Sequence, residues 1–236
     1  MAHSKQFYIS TCRVDKNKKL RLSDLFSLFQ DVAGEHGELL DIGKAKTTDI
    51  GRKWIITRYA VKIERLPIYG ETVRIYTYPC KNNPCFFYRN YFVKDEQDNI
   101  VIKASSIWAI LETKTNKIVY NPFKKSLPEE SFDFELGIPE KVLDDVDNKV
   151  GEYKIQYSDL DLNGHANNSR YIEMIQNLHD SDFRNEHEYD SILINYFAEL
   201  KEKDVVNLYS NNSNPEIIKG VIGDKVSFKA IVTYKK

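Results

Sequence analysis

The chain has 236 residues, of which 42% are hydrophobic and 29% charged, and its formal net charge is -1. This composition excludes a disordered chain and leaves room for one large domain or two of about 100–120 residues, each with its own core. The near-neutral charge argues neither for nor against nucleic acid, and no stretch approaches the roughly 18–20 apolar residues that span a bilayer.

Met1 to Lys5 lead into a strand pattern without an apolar signal core, so a cytoplasmic protein is expected. Cys12, Cys80 and Cys85 make no even framework and no metal spacing, and free thiols are expected. Aromatic residues reach 12%, many in alternating runs, which favours wide apolar sheet faces.

Gln6 to Val14 alternates weakly and predicts a first strand, with a polar loop from Asp15 to Lys19. Leu22, Leu25, Phe26, Phe29, Ala33, His36 and Leu40 then mark one helix face, with Ser23 or a neighbour as cap and Gly43 just past the end. After Gly51 come strands over 54–63, 72–78, 86–94 and 100–112, and a short closing strand over 117–120. Short turns with no helix between them predict an antiparallel sheet, and one long helix against it gives an α+β layer.

Residues 122–148 hold Pro122, Pro128 and Pro139 among acidic side chains and read as a connection. The order of elements then repeats. A strand over 152–157, a polar loop, a helix over 168–179 and strands over 192–199, 205–210, 217–222 and 226–234 are expected. The division is a first unit over 1–125, a linker over 126–150 and a second unit over 151–236.

The loop of the second unit, from Asp159 to Asn168, crowds carboxylates, amides and an imidazole ahead of a helix N-terminus. Unpaired N–H groups and the positive end of the helix dipole suit an anion, or a carbonyl oxygen becoming one. Asp159, Asp161 and Asn163 also open like a calcium loop, but the twelfth position, where a glutamate is needed, is Arg170, and a strand precedes it. A plain turn rich in Asp and Asn, capping the helix, is the bland alternative. His36, on an apolar helix face, reads as a satisfied core residue, and His3, His179 and His187 show no partner in the sequence.

Asp161-x-Asn163-x-His165-x-Asn167-Asn168-x-x-Tyr171 resembles the signature of acyl-acyl carrier protein thioesterases, the double hot-dog enzymes of plants and bacteria. Trp54 to Arg58, Ile63 to Val73, and Asn195 to Leu200 are similar to further segments of that family. The resemblance spans nearly the whole chain. It implies a tandem hot-dog fold, each half a long helix wrapped by an antiparallel sheet. It also implies a role in fatty acid biosynthesis: hydrolysis of fatty acyl-carrier-protein thioesters, with an acyl carrier protein as partner. No metal or organic cofactor, nucleic acid or membrane is called for, and a homodimer is compatible with it. Plant members carry a cysteine directly after the glutamate, where this chain has Leu200, so a cysteine nucleophile at that position is excluded.

Thioester hydrolysis needs an activated water, donors for the oxyanion and a dry slot for the acyl chain. Asp161, Asn163, His165 and Glu199 are the expected catalytic group. Glu199 is the first choice of base and Asp161 fixes Asn163 or His165, although the reverse order stays open. N–H groups from Ala166 to Asn168 are expected to meet the carbonyl oxygen, and Asn167 and Asn168 to touch substrate. The resemblance implies that the first unit sets chain length, with Phe29 and Val32 as candidate slot residues beside the alternative of core packing. Lys16, Lys18, Lys19, Arg21, Lys124 and Lys125 are candidates for docking an acidic carrier. Two other functions stay open: hydrolysis of acyl-coenzyme A, and a non-catalytic acyl-thioester sensor.

Overall fold

The computed structural model describes residues 2–80, 83–123 and 135–235. The first half contains β1 (His3–Tyr8), α1 (Leu22–Leu39), α2 (Lys44–Asp49), β2 (Arg52–Ile63), β3 (Thr72–Pro79), β4 (Phe86–Lys94) and β5 (Ile100–Glu112). The second contains β6 (Lys149–Lys154), α3 (Asn168–Gln176), α4 (Ser181–Glu186), β7 (Tyr189–Tyr196), β8 (Val205–Ser210), β9 (Glu216–Ile222) and β10 (Lys225–Tyr234). Among the described residues no helix is long and apolar enough to cross a membrane.

The strands form one ten-stranded antiparallel sheet in the order β1-β3-β4-β5-β2-β7-β10-β9-β8-β6. The halves meet where β2 pairs with β7, Arg58 facing Asn195 and Lys62 facing Ser191. This seam turns two half-sheets into one continuous surface. Leu25, Phe26, Phe29 and Val32 of α1 and Tyr171, Ile172 and Ile175 of α3 are buried in one core with the inward residues of the sheet. The two helices also bond each other. Gln176 Oε1 accepts the Ser23 N–H at 3.1 Å, and Gln30 Nε2 donates to Asn167 Oδ1 at 3.1 Å.

Several local expectations change. The first strand stops at Tyr8, and Thr11–Arg13 form one 3-10 turn. α1 has no side-chain cap of its own, because Ser23 offers its N–H to Gln176 instead. Gly43 caps an unforeseen helix, α2. Residues 117–120 contribute only a bridge between Leu111 and Ile118. α3 has 9 residues rather than a long run, because the chain restarts at Asp180, whose carboxylate accepts the N–H groups of Asp182 and Phe183. β6 begins at Lys149, inside the expected linker, and ends before Tyr157, which is exposed. The buried Asp159 carboxylate accepts the Gln156 N–H at 2.7 Å and turns the chain there. Pro128, in the expected linker, lies outside the described residues.

The loops that precede α1 and α3 are built alike. Asp15 Oδ1 accepts the N–H groups of Asn17 and Lys19, as Asp161 Oδ1 accepts those of Asn163 and His165. Asp15 N–H reaches Lys19 O at 2.9 Å, and Asp161 N–H reaches His165 O at 2.7 Å. Lys19 thus stands where the second half has its imidazole.

Candidate active site

His165 and Glu199 are brought together by two different loops. The Asp161 carboxylate folds the first loop by accepting from backbone and side chain of Asn163, at 2.7 and 3.2 Å, and from the His165 N–H at 3.3 Å. Gly164 takes a φ of 76°, a left-handed turn that a residue without Cβ adopts at little cost. Glu199 does not lie on a strand, as expected, but just beyond β7. Its neighbours pin it. Ala198 O accepts from the hydroxyls of Tyr171 and Ser227, and Leu200 is buried with its carbonyl accepting the Ala166 N–H at 2.8 Å.

The His165 ring Nε2 lies 3.2 Å from Glu199 Oε2. Lys53 Nζ, from β2 of the other half, donates to Glu199 Oε1 at 2.7 Å and to Oε2 at 3.1 Å. The Lys53 side chain is only 15% exposed, so this ion pair is partly shielded from water. Lys53 was not legible in the sequence: its partner is 146 residues away, and no local pattern marks it.

Asp161, Asn163, His165, Asn168 and Glu199 all line one cavity of about 1220 Å³. Most of its other walls come from the first half, among them Ala33, Gly34 and Gly37 of α1 and Trp54, Phe87 and Trp108 of the sheet. Phe29 and Val32 do not line it. Both are 0% exposed and belong to the core, because they lie on the face of α1 turned into the sheet, while the glycines face the space. Asn167 does not line it either. Its Oδ1 is occupied as the cap of α3, accepting from Ser169 N and Oγ and from Gln30.

Of the three backbone donors expected to meet a carbonyl oxygen, two are already engaged. Ala166 N–H goes to Leu200 O and Asn167 N–H to Asp159 O, both at 2.8 Å. The Asn168 N–H, at the first position of α3, has no acceptor among the described residues.

The remaining charged candidates separate. Lys19 pairs with Glu188 and Arg21 with Asp24, and Lys124 and Lys125 lie outside the described residues. The exposed Lys44, Lys114 and Lys201 instead line the cavity. His36 is buried and bonded to Arg89, whereas His179 does have a partner, the buried Glu216, at 2.7 Å. Cys12, Cys80 and Cys85 form no disulfide, and among the described residues no His, Cys, Asp and Glu cluster could hold a metal.

One continuous sheet built from two half-sheets, with two helices packed over it and a site where the halves join, defines the tandem hot-dog class. A solved acyl-ACP thioesterase from Bacteroides thetaiotaomicron has this fold, superposing with a TM-score of 0.87 over 99% of this chain and 98% of its own at 22% identity. The chain belongs to the acyl-ACP thioesterase family: the models of that family's N-terminal and C-terminal domains match residues 1–122 and 143–232. Among curated relatives, a chloroplastic oleoyl-acyl carrier protein thioesterase of Coriandrum sativum is 24% identical over 92% of this chain and 63% of its own. A chloroplastic acyl-[acyl-carrier-protein] hydrolase of Cuphea viscosissima is 23% identical over 70% of this chain and 44% of its own. The chain therefore spans less than two thirds of the length of these relatives.

Proposed function

We propose that the protein hydrolyses fatty acyl-carrier-protein thioesters, the activity for which its curated relatives are named, and that it does so by direct attack of water. The observation that carries this reading is the contact of His165 with Glu199 at 3.2 Å beside a large cavity partly walled by aromatic side chains. Glu199 takes a proton from water as the water oxygen attacks the thioester carbonyl carbon. The carbonyl oxygen becomes an oxyanion facing the Asn168 N–H at the start of α3. Such a donor is worth about 3–4 kcal/mol in a transition state. The carbon–sulfur bond then breaks, and His165 passes the proton to the leaving thiolate. Asn163 holds the water, and Asp161 holds Asn163 and the loop. Lys53 holds the Glu199 carboxylate in place.

In this reading the acyl chain occupies the cavity between α1 and β4–β5, and a first unit over 1–125 builds the slot for a second unit over 151–236, with a linker between. Lys44, Lys114 and Lys201 offer positive charge at the cavity to an acidic carrier protein or to the phosphate of its pantetheine arm.

The test is turnover of carrier protein loaded with fatty acyl groups. His165→Ala and Glu199→Ala should each lower kcat by about 10²–10⁴-fold, the range for lost acid–base groups, with unchanged thermal melts. Full activity in both variants would remove the assignment. Binding without turnover in the wild type would make the protein a sensor rather than a hydrolase.

A further inference from the structure

Arg89 occupies a place where the fold calls for an apolar side chain. On β4, Phe87, Tyr91 and Val93 point into the layer between sheet and α1, and Arg89 alternates in phase with them. It is 8% exposed and lines the same cavity as Glu199. Its Nη1 donates to His36 Nδ1 and to Thr77 Oγ1, both at 3.0 Å. An imidazole accepting at Nδ1 carries no proton there, and a hydroxyl is neutral, so neither partner balances the guanidinium charge. Among the described residues no carboxylate pairs with Arg89, and Nε and Nη2 have no hydrogen-bond partner. The other two guanidinium or ammonium groups at the cavity with little exposure are paired, Lys53 with Glu199 and Arg52 with Glu112.

Burial of a cation away from water is costly, and it pulls the pKa of Arg89 below the usual guanidinium value. The unbonded Nε–Nη2 edge is the fork that takes a carboxylate in two parallel bonds. Its distance from the chemistry can be read from the ladder. Lys53, which holds Glu199, faces Leu111 on β5, while Arg89 faces Ser106 on the same strand. At ~3.3 Å per residue the two rows are about 17 Å apart. That spacing is an offset along the strand, and Trp108, Phe87, Ala33 and Gly37 line the same cavity as Arg89.

We propose that Arg89 is an anion site at the distal end of the acyl slot, and that the preferred acyl group ends in a carboxylate rather than a methyl. This rests on the cavity being the acyl slot, and binding and turnover therefore have to be measured separately. Calorimetric titration of the wild-type protein with free α,ω-diacids and with monoacids of matched chain length gives the first readout. At one length in the series the diacid should bind at least about tenfold more tightly, since a site built for a polar group rejects the analogue that lacks it. Arg89→Met should abolish that preference and leave monoacid affinity unchanged or improved. Arg89→Lys, a second variant with the charge but not the fork, should retain part of it. Equal or tighter binding of the monoacid by the wild type at every length would overturn the proposal, whatever the variants do. With carrier-linked substrates, the carboxylate-ended thioester should show the same preference in kcat/KM. Diacid preference without turnover of either thioester would leave the anion site standing and remove the thioesterase reading.

Discussion

At the residue scale the proposed site rests on one carboxylate held from two sides. Glu199 meets His165 from its own half and Lys53 from the other. Placement of a reacting group to within an ångström can be worth about 100-fold in rate, so Lys53→Met should lower kcat by roughly 10–100-fold with a small change in KM. An unchanged kcat would show that Lys53 is only packing. A second carboxylate, Glu216, shows how a buried charge couples to pH. Burial raises its pKa, but hydrogen bonds from His179, Ser210 and Tyr234 outweigh burial and leave it below the ordinary value of 4.5. A depressed folded value means that its contribution is complete above about pH 4.5 and is lost as pH falls through the folded pKa. Acid unfolding of Glu216→Gln, followed by circular dichroism, should therefore be shallower below that pH than in the wild type. Parallel curves would count against this coupling.

At the element scale α1 is divided along its length. One face buries Leu25, Phe26, Phe29 and Val32, and another carries Gly34 and Gly37 along the cavity. A Cβ built on Gly34 meets no atom within 4 Å. Gly34→Ala should therefore stabilise the protein by about 0.5–1 kcal/mol, the helix preference of alanine over glycine, seen as a raised Tm. Gly34→Phe projects a ring into the cavity and should raise KM for the longest acyl chains most, with the fold retained. If chain-length preference does not move, the substrate does not pass this helix. The amphipathic stripe located α1 in the sequence. Which part of that stripe packs and which part lines a space was not legible, because both parts share the same periodicity.

At the scale of the whole molecule the β2–β7 seam joins the halves. Asn195, 1% exposed on β7, also straps the connection across it, accepting the Val142 N–H at 2.9 Å and donating to Glu140 O at 3.1 Å. Arg58 of β2 donates to Pro139 O at 3.2 Å from the other side. With a core running through both halves, unfolding should be a single cooperative step, one calorimetric peak whose van't Hoff and calorimetric enthalpies agree. Two separated peaks would mean that the halves hold independently. Separation would also leave two open strand edges, of β2 and β7, each a row of unpaired backbone groups.

Alternation and helical spacing determined most strands, α1 and the repeated order of elements, since burial on one face writes its period into any chain. The Asp161 to His165 loop was legible for a similar reason, because Asp, Asn and Gly make their turn with near neighbours. Tertiary structure alone decided the rest. It placed Lys53 on Glu199, Gln176 on the start of α1 and Glu216 beside His179, and it left Arg89 without a carboxylate among the described residues. Each of these is a contact between residues far apart in the chain or the lack of one, and the energy of such a pair depends on where the fold brings it, a quantity that no local pattern carries.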